Sequence, residues 1–225
     1  MLGETIRVKL DRHWSKDELV RFMDRWQAVT IPVNAKLVET QVALDLSRAG
    51  RVLDRAEKIA VADCVCRTTL QNCDAPRKVC LWLDDAAEKL VSREGASWLT
   101  KDAAKGILRQ THDHGLVHLA LIPPNAPEKQ LPSVLCSCCT CCCHALQGLL
   151  LLNARSAVKP SEFVASDDRE SCSQCGTCVD RCQFKARNWG EEDEITFDPD
   201  SCFGCGLCIT TCPEEAIQLV QRSAI

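Results

Sequence analysis

The chain has 225 residues, of which 46% are hydrophobic, a net charge of −4 and eighteen cysteines. This length permits two or three small domains with a modest core. The longest apolar run, Leu149 to Leu152, falls far short of the roughly 20 residues needed to span a bilayer, so a membrane-spanning helix is excluded. The amino terminus lacks the apolar stretch of a secretory signal, and many thiols suit a reducing compartment, so a cytoplasmic location is expected.

Residues 1–62 are predicted to form a helical amino-terminal region. Ser15 and Glu18 make a capping box, which predicts a helix over residues 15–29. Its apolar face would be formed by Leu19, Phe22, Met23 and Trp26, as core or interface residues. A second helix is predicted over residues 35–46, and a third is indicated by apolar residues at helical spacing, namely Val52, Leu53, Ala56 and Ile59.

Residues 63–155 are predicted to form a cysteine-rich helical domain. Its ten cysteines fall into a group of four and a group of six, namely Cys64, Cys66, Cys73 and Cys80, then Cys136, Cys138, Cys139, Cys141, Cys142 and Cys143. Two helices are predicted between the groups, one over residues 84–94 and one from a Thr100 cap to Gly115. The fold must bring the ends of this helical pair together if the two groups share a metal.

Eight further cysteines occur in two runs of identical spacing near the carboxy terminus. The runs are Cys172-x2-Cys175-x2-Cys178-x3-Cys182 and Cys202-x2-Cys205-x2-Cys208-x3-Cys212. Each position of the second run lies 30 residues after its counterpart, which indicates an internal duplication. This spacing is typical of a pair of [4Fe-4S] clusters, so the segment is predicted to carry electrons. Short strands are predicted on either side of the runs.

Through these runs, residues 161–222 resemble bacterial-type 2[4Fe-4S] ferredoxins. In that arrangement the last cysteine of each run binds the other cluster. One cluster is therefore assigned to Cys172, Cys175, Cys178 and Cys212, and the other to Cys202, Cys205, Cys208 and Cys182. Gln183 stands where the family has a proline, which is expected to loosen that loop and shift one potential. The spacing favours iron–sulfur clusters over zinc sites or disulfides.

The cysteine pattern of the middle region, with Cys64-Val-Cys66-Arg67 at its start, extends the resemblance. Most of the chain resembles a group of prokaryotic 4Fe-4S-binding proteins that carry an additional amino-terminal cysteine-rich domain. The resemblance implies an electron-transfer protein and fixes no reaction.

The middle cysteines leave several metal centres open. Ten thiols are enough for one further [4Fe-4S] cluster with six left over, for two clusters, or for tetrahedral zinc. We favour at least one extra cluster that draws on both groups, since Arg67 would lower the pKa of nearby thiols. Reactive or regulatory thiols are a further alternative. His144 directly follows Cys143 and is a candidate ligand, whereas His112, His114 and His118 are expected to be capping or surface residues.

The expected fold class is α+β, with a ferredoxin domain over residues 161–225 after the two helical regions. The expected function is electron transfer, as a carrier or as the relay subunit of an oxidoreductase. From residue 166 onward the chain has 12 acidic and 5 basic residues, which favours docking to a basic patch on a redox partner over binding to nucleic acid. An ordinary solvated acidic surface is the alternative explanation of this charge. The alternative is an iron–sulfur or zinc redox sensor in which residues 100–118 belong to a helix-turn-helix.

Overall fold

Helices and strands alternate along the chain in the computed structural model, which describes residues 10–23, 27–30, 35–36, 43–44, 47–92, 95–122, 132–153 and 158–222. The helices of this part are α1 (Lys16–Met23), α2 (Ser47–Arg55), α3 (Val65–Leu70), α4 (Asp84–Val91), α5 (Lys101–Asp113), α6 (His144–Leu152) and α7 (Thr177–Arg181). The strands are β1 (Gln27–Thr30), β2 (Ala35–Lys36), β3 (Ala43–Leu44), β4 (Ile59–Asp63), β5 (Lys78–Leu83), β6 (Ser97–Trp98), β7 (Val117–Ile122), β8 (Val134–Cys138), β9 (Val158–Lys159), β10 (Phe163–Asp167), β11 (Arg187–Trp189), β12 (Ile195–Phe197) and β13 (Ile217–Gln221). The mixed α+β class is thereby confirmed.

A seven-stranded sheet in the order β6-β4-β5-β8-β7-β1-β9 forms the centre of the fold. All neighbouring strands are antiparallel except β1 and β9, which are parallel. The sheet joins strands from both sides of residue 62, so the amino-terminal and middle regions share one framework. In the tail, β10 pairs with β13 and β11 pairs with β12, both antiparallel.

The two faces of the sheet have different coverings. On one face, α2 and α5 pack Leu53 and Leu108 against Val61 and Leu81. On the other face, α6 and the carboxy-terminal segment form a second apolar cluster with residues of β7 and β8, namely Val117, Leu119, Leu121, Val134, Leu146, Leu149, Phe184 and Leu207. Because side chains alternate between the faces of a strand, Cys136 and Cys138 of β8 lie on this second face.

The amino-terminal helices differ from their predictions. The capping box is present, since Ser15 N donates to Glu18 Oε2 at 2.9 Å and Glu18 N donates to Ser15 Oγ at 3.3 Å, but α1 ends at Met23 and residues 27–30 form a strand. The helix predicted over residues 35–46 is wrong at its described positions, where β2 pairs with β3. The third helix ends at Arg55, and Ile59 begins β4. The remaining residues of these predictions, and the side chains of Phe22, Met23 and Trp26, lie outside the described residues.

The prediction of a purely helical middle region is also wrong, because four strands of the sheet run through it. Strand β7 is buried at nearly every position, so it lacks the apolar–polar alternation that reveals a strand with one exposed face. The two helices predicted there are confirmed as α4 and α5, and Thr100 Oγ1 accepts a hydrogen bond from Ala103 N at 3.2 Å. Helix α5 follows β6 and packs on the sheet, so it does not belong to a helix-turn-helix.

Among the helices of the described residues, none combines the length and the apolar composition that a membrane crossing requires.

Candidate metal centres

The cysteines of the tail line two separate cavities, and each cavity takes three cysteines from one run and one from the other. The first, which we call the outer cavity, is lined by Cys172, Cys175, Cys178 and Cys212. The second, the inner cavity, is lined by Cys202, Cys205, Cys208 and Cys182. All eighteen cysteines of the chain are free. These two quartets have the membership that crossed ligation requires, and four convergent thiols suit a cuboidal cluster.

Backbone geometry positions these thiols. Gly204 has a φ of +63°, and a Cβ there would lie 2.2 Å from the Phe163 carbonyl oxygen. This residue lets the chain turn between Cys202 and Cys205, and its amide lies 3.4 Å from Cys202 Sγ. The amide of Ala216 lies 3.3 Å from Cys212 Sγ. Amide hydrogens directed at sulfur favour the thiolate form that iron requires.

Replacing Gly204 by alanine is therefore expected to damage the inner cavity. The new methyl group meets backbone as well as a disfavoured φ, so we expect a loss of at least about 2 kcal/mol in the free energy of unfolding and reduced iron content. Gly106→Ala in α5 is the control, since a Cβ there has nothing within 4 Å and should stabilise the helix by about 1 kcal/mol. Urea unfolding and iron analysis of both variants test this, and equal behaviour of the two would contradict it.

Arg187 lies between the two cavities and lines both of them. Its side chain is 2% exposed and binds both carboxylate oxygens of Asp167, at 2.7 and 2.5 Å. The guanidinium also lies 4.6 Å from the centre of the Phe197 ring and 4.0 Å from Cys178 Sγ. The sequence analysis did not single out Arg187. The duplication does mark it, because the residue at the equivalent position of the second repeat is the buried apolar Ile217.

The duplicated segment, residues 171–216, matches the family described as 4Fe-4S dicluster domain. It is a 4Fe-4S dicluster domain. No curated protein matches the chain significantly. The dicluster domain and the abundance of cysteines support an iron–sulfur electron-transfer protein.

The ten cysteines of the middle region separate into two sets beside this dicluster domain. The first set, which we call the four-cysteine group, consists of Cys73, Cys139, Cys141 and Cys142, whose sulfur atoms all lie within 4.8 Å of one another. Cys73 Sγ is 3.8 Å from Cys139 Sγ, and Cys141 Sγ is 3.7 Å from Cys142 Sγ. Four thiolates around one tetrahedral ion, with metal–sulfur bonds of about 2.3 Å, lie about 3.8 Å apart. The four-cysteine group thus fits a single tetrahedral ion.

Buried polar side chains hold the turn that carries this group. Asn72 Nδ2 and Gln147 Nε2 donate to the Cys141 carbonyl at 2.5 and 2.8 Å. Trp14 Nε1 donates to the Cys142 carbonyl at 2.7 Å. Asn72 and Gln147 are 1% and 2% exposed. The turn is therefore fixed from three directions, as a preformed ligand site requires.

The second set, which we call the six-cysteine ring, consists of Cys64, Cys66, Cys80, Cys136, Cys138 and Cys143. Each of these thiols interacts with two others, in the closed order Cys64, Cys66, Cys143, Cys138, Cys136, Cys80 and back to Cys64. Strand pairing explains much of this order. Leu81 of β5 faces Leu135 of β8, which places Cys80 beside Cys136, and Cys138 is on the same face as Cys136.

Arg67 lies between the four-cysteine group and the six-cysteine ring. It is fully buried, and its Nη2 donates to the Ser137 carbonyl at 2.9 Å and lies 3.7 Å from Cys139 Sγ. The pKa of Cys64 is lowered to about 2, because the thiols of Cys66 and Cys80 donate toward it and Arg67 adds its charge. The pKa of Cys139 is also lowered, by the thiols of Cys141, Cys142 and Cys73 and by Arg67. The thiolate form is thus favoured for one cysteine in each set, Cys64 in the six-cysteine ring and Cys139 in the four-cysteine group.

The structure gives the surroundings of three histidines for which the sequence predicted roles. His144 Nδ1 lies 3.1 Å from Cys66 Sγ, and Trp14 stacks on its ring with 3.4 Å between ring centres, so this side chain faces the six-cysteine ring. His112 lies in the last turn of α5 and His114 caps it, as expected, but the expectation of a surface position is wrong for His112 and His118, which are 5% and 2% exposed. His118 lies on β7, where Nδ1 is 3.1 Å from Ser137 Oγ. It is buried because β7 is a central strand.

Polar contacts tie the middle region to the dicluster domain. Arg181 Nη1 and Nη2 donate to the carbonyls of Asp113 and His112 at 3.0 and 2.5 Å. His112 Nε2 lies 2.6 Å from Thr210 Oγ1. Gln183 Oε1 accepts a hydrogen bond from Thr140 Oγ1 at 3.1 Å. The glutamine that replaces the family proline therefore links the turn of the four-cysteine group to the loop after Cys182.

Acidification is expected to weaken this interface. Burial, and then the charge of Arg181, lower the pKa of His112 from 6.5 to about 4, so the folded protein holds the neutral ring while the unfolded chain takes up a proton. Its contribution to stability is full above pH 6.5 and is lost as the pH falls toward 4, by at most about 1.4 kcal/mol per pH unit. Urea unfolding of the parent and of His112→Gln measures this contribution. The variant should show the weaker pH dependence, and parallel curves would contradict the assignment.

Proposed function

We propose that the chain carries single electrons through two [4Fe-4S] clusters in the dicluster domain to a further metal centre in the middle region. The observation that carries the proposal is the division of the eight cysteines of the two runs between two cavities with crossed membership. A cluster in each cavity supplies a one-electron couple, and Arg187 between them favours the reduced, more negative state of both. The eight thiolates are the proposed ligands.

The outer cavity supports docking of a redox partner. Cys175 is exposed, and the rim of this cavity includes acidic residues, among them Glu194 and Glu214. Trp189, 48% exposed, packs on Gly176 beside Cys175. An acidic rim around an accessible cluster suits a partner with a basic patch. We infer that an oxidoreductase, or another subunit of one, exchanges electrons here.

The position of the inner cavity supports the second step of the proposed electron transfer, from the inner cluster toward the middle region. Its ligands Cys182 and Cys205 pack against the apolar cluster that includes Cys138 and Cys143 of the six-cysteine ring. An electron that enters at the outer cluster would therefore move to the inner cluster and then toward the middle region. The four-cysteine group, by its spacing, would hold a structural zinc ion that keeps the neighbouring turn in place.

Serine variants in both runs test the crossed ligation. Cys175→Ser and Cys212→Ser should give the same electron paramagnetic resonance (EPR) spectrum after anaerobic reduction, one that keeps the inner cluster and lacks the outer cluster, although the two residues lie in different runs. Cys205→Ser and Cys182→Ser should likewise share the spectrum of the outer cluster. Spectra that group by run, with Cys175→Ser resembling Cys182→Ser, would contradict the assignment. Absence of any iron–sulfur signal in the parent would refute the function.

A further inference from the structure

The six-cysteine ring differs from the four-cysteine group in a way that indicates a different occupant. In the four-cysteine group every sulfur lies within 4.8 Å of every other. In the ring, each thiol has two neighbours, and among the described residues no three ring thiols form such a compact set. A single tetrahedral ion draws its thiolates to about 3.8 Å from one another. The ring therefore has the spread of a polynuclear centre, in which thiolates bind different metal ions.

Ordinary core packing does not explain this ring. Free cysteines in a core behave as small apolar residues and occur singly among aliphatic side chains, whereas these six, which come from four separate elements, gather in two adjoining apolar clusters. Cys64 precedes α3, Cys66 lies within it, Cys80 is on β5, Cys136 and Cys138 are on β8, and Cys143 caps α6. Strand pairing accounts for the meeting of Cys80 with Cys136, and the cysteines of α3 and α6 are added to it from other parts of the chain.

The charges around the ring also indicate an anionic occupant. In the described residues, the Arg67 guanidinium contacts the carbonyls of Pro76 and Ser137 and the thiol of Cys139, while its Nε has no hydrogen-bond partner. A fully buried cation needs a compensating negative charge. Metal-bound thiolates on either side would supply it, since Arg67 directly follows Cys66 of the ring and its Nη2 lies 3.7 Å from Cys139 Sγ of the four-cysteine group.

We propose that the six-cysteine ring binds an iron–sulfur cluster of its own, separate from the tetrahedral ion of the four-cysteine group. The ring offers more thiolates than the four irons of a cubane need, and His144 lies beside Cys66 as a hydrogen-bonding partner for the sulfur. The electron route rests on the proposed function: the ring cluster gains the one electron that the inner cluster of the dicluster domain loses, with no bond formed or broken. Binding of the cluster itself does not depend on that route.

The test uses the full chain, produced with ⁵⁷Fe and purified without oxygen. About eight irons per chain belong to two [4Fe-4S] clusters, so about twelve or more are expected in the parent, together with one zinc. The triple variant Cys64→Ser/Cys80→Ser/Cys136→Ser, which leaves the ring fewer than four thiols, should fall to about eight irons and keep the zinc and the dicluster EPR signals. The matched variant Cys141→Ser should lose the zinc and keep all the iron.

The outcomes separate the two proposals. A parent with about eight irons, all assigned by Mössbauer spectroscopy to the dicluster domain, overturns the ring cluster whether or not the variants fold. A parent that holds iron in the ring but lacks dicluster signals supports the ring and refutes the proposed function. The proposal is also overturned if Cys141→Ser falls to about eight irons while Cys64→Ser/Cys80→Ser/Cys136→Ser keeps about twelve, because the additional iron would then belong to the four-cysteine group.

Discussion

Removing the iron is expected to unfold the carboxy-terminal segment from residue 161 to residue 222 while the central sheet, including β9, remains folded. The apolar core of this segment is small and consists of Phe163, Ala165, Cys178, Ile217 and Leu219. Segments of fewer than about 80 residues rarely gain enough stability from apolar burial, and metal ligation supplies the difference. For comparison, structural zinc contributes about 10–16 kcal/mol to small metal-dependent domains. Nothing in this core is large enough to replace the clusters.

Limited proteolysis before and after anaerobic oxidation and chelation measures this effect. The segment should become cleavable throughout, whereas β4, β5 and their covering helices should stay resistant, because Leu53, Leu81 and Leu108 belong to a core that does not involve the tail. Circular dichroism should show a partial loss of secondary structure. A tail that stays resistant without iron would contradict the dependence on clusters.

Arg187→Leu is expected to lower stability and both midpoint potentials. Removing one partner of a buried ion pair costs about 3–5 kcal/mol, and Asp167 would lose both of its hydrogen bonds to the guanidinium. The loss of a positive charge that lines both cavities disfavours the more negative reduced state of each cluster, so both potentials should become more negative. Urea unfolding and redox titration followed by EPR measure the two effects separately.

Two controls separate charge from packing. Arg169→Leu removes the same charge from an exposed position on the rim of the outer cavity, where solvent screens it, and should change stability and potential little. Arg187→Lys keeps the charge while losing the bidentate contact, so stability should fall and the potentials should stay near those of the parent. Unchanged potentials in Arg187→Leu would show that this guanidinium does not tune the clusters.

The parts of the fold that follow from local sequence were predictable, and those that depend on distant pairing were not. The duplicated runs specify the two quartets of thiols because ligand spacing is fixed by the cluster. The Thr100 cap and the apolar spacing after it specify α5. Strand β1 was taken for helix, because the residues before it continue a helical pattern and its extended form depends on pairing with β7.

The division of the ten middle cysteines into two sets could not be predicted either, because it also depends on pairing between distant strands. Cys73 joins cysteines from the turn after β8, whereas Cys64, Cys66 and Cys80 join those on β8 and at the start of α6. This partition depends on the pairing of β5 with β8, which no local pattern encodes. The special role of Arg187 could have been predicted from the sequence, because a charged residue stands where the second repeat has the buried Ile217. Its ion pair with Asp167 across the domain could not.

EPR spectroscopy of the dithionite-reduced full chain, with the spins quantified, tests the central claim most directly. Two [4Fe-4S] clusters in adjacent cavities predict two unpaired spins per chain from the dicluster domain, with the broadening that magnetic interaction between neighbouring clusters produces. A colourless, EPR-silent protein with zinc in place of iron at Cys172–Cys212 would contradict the account.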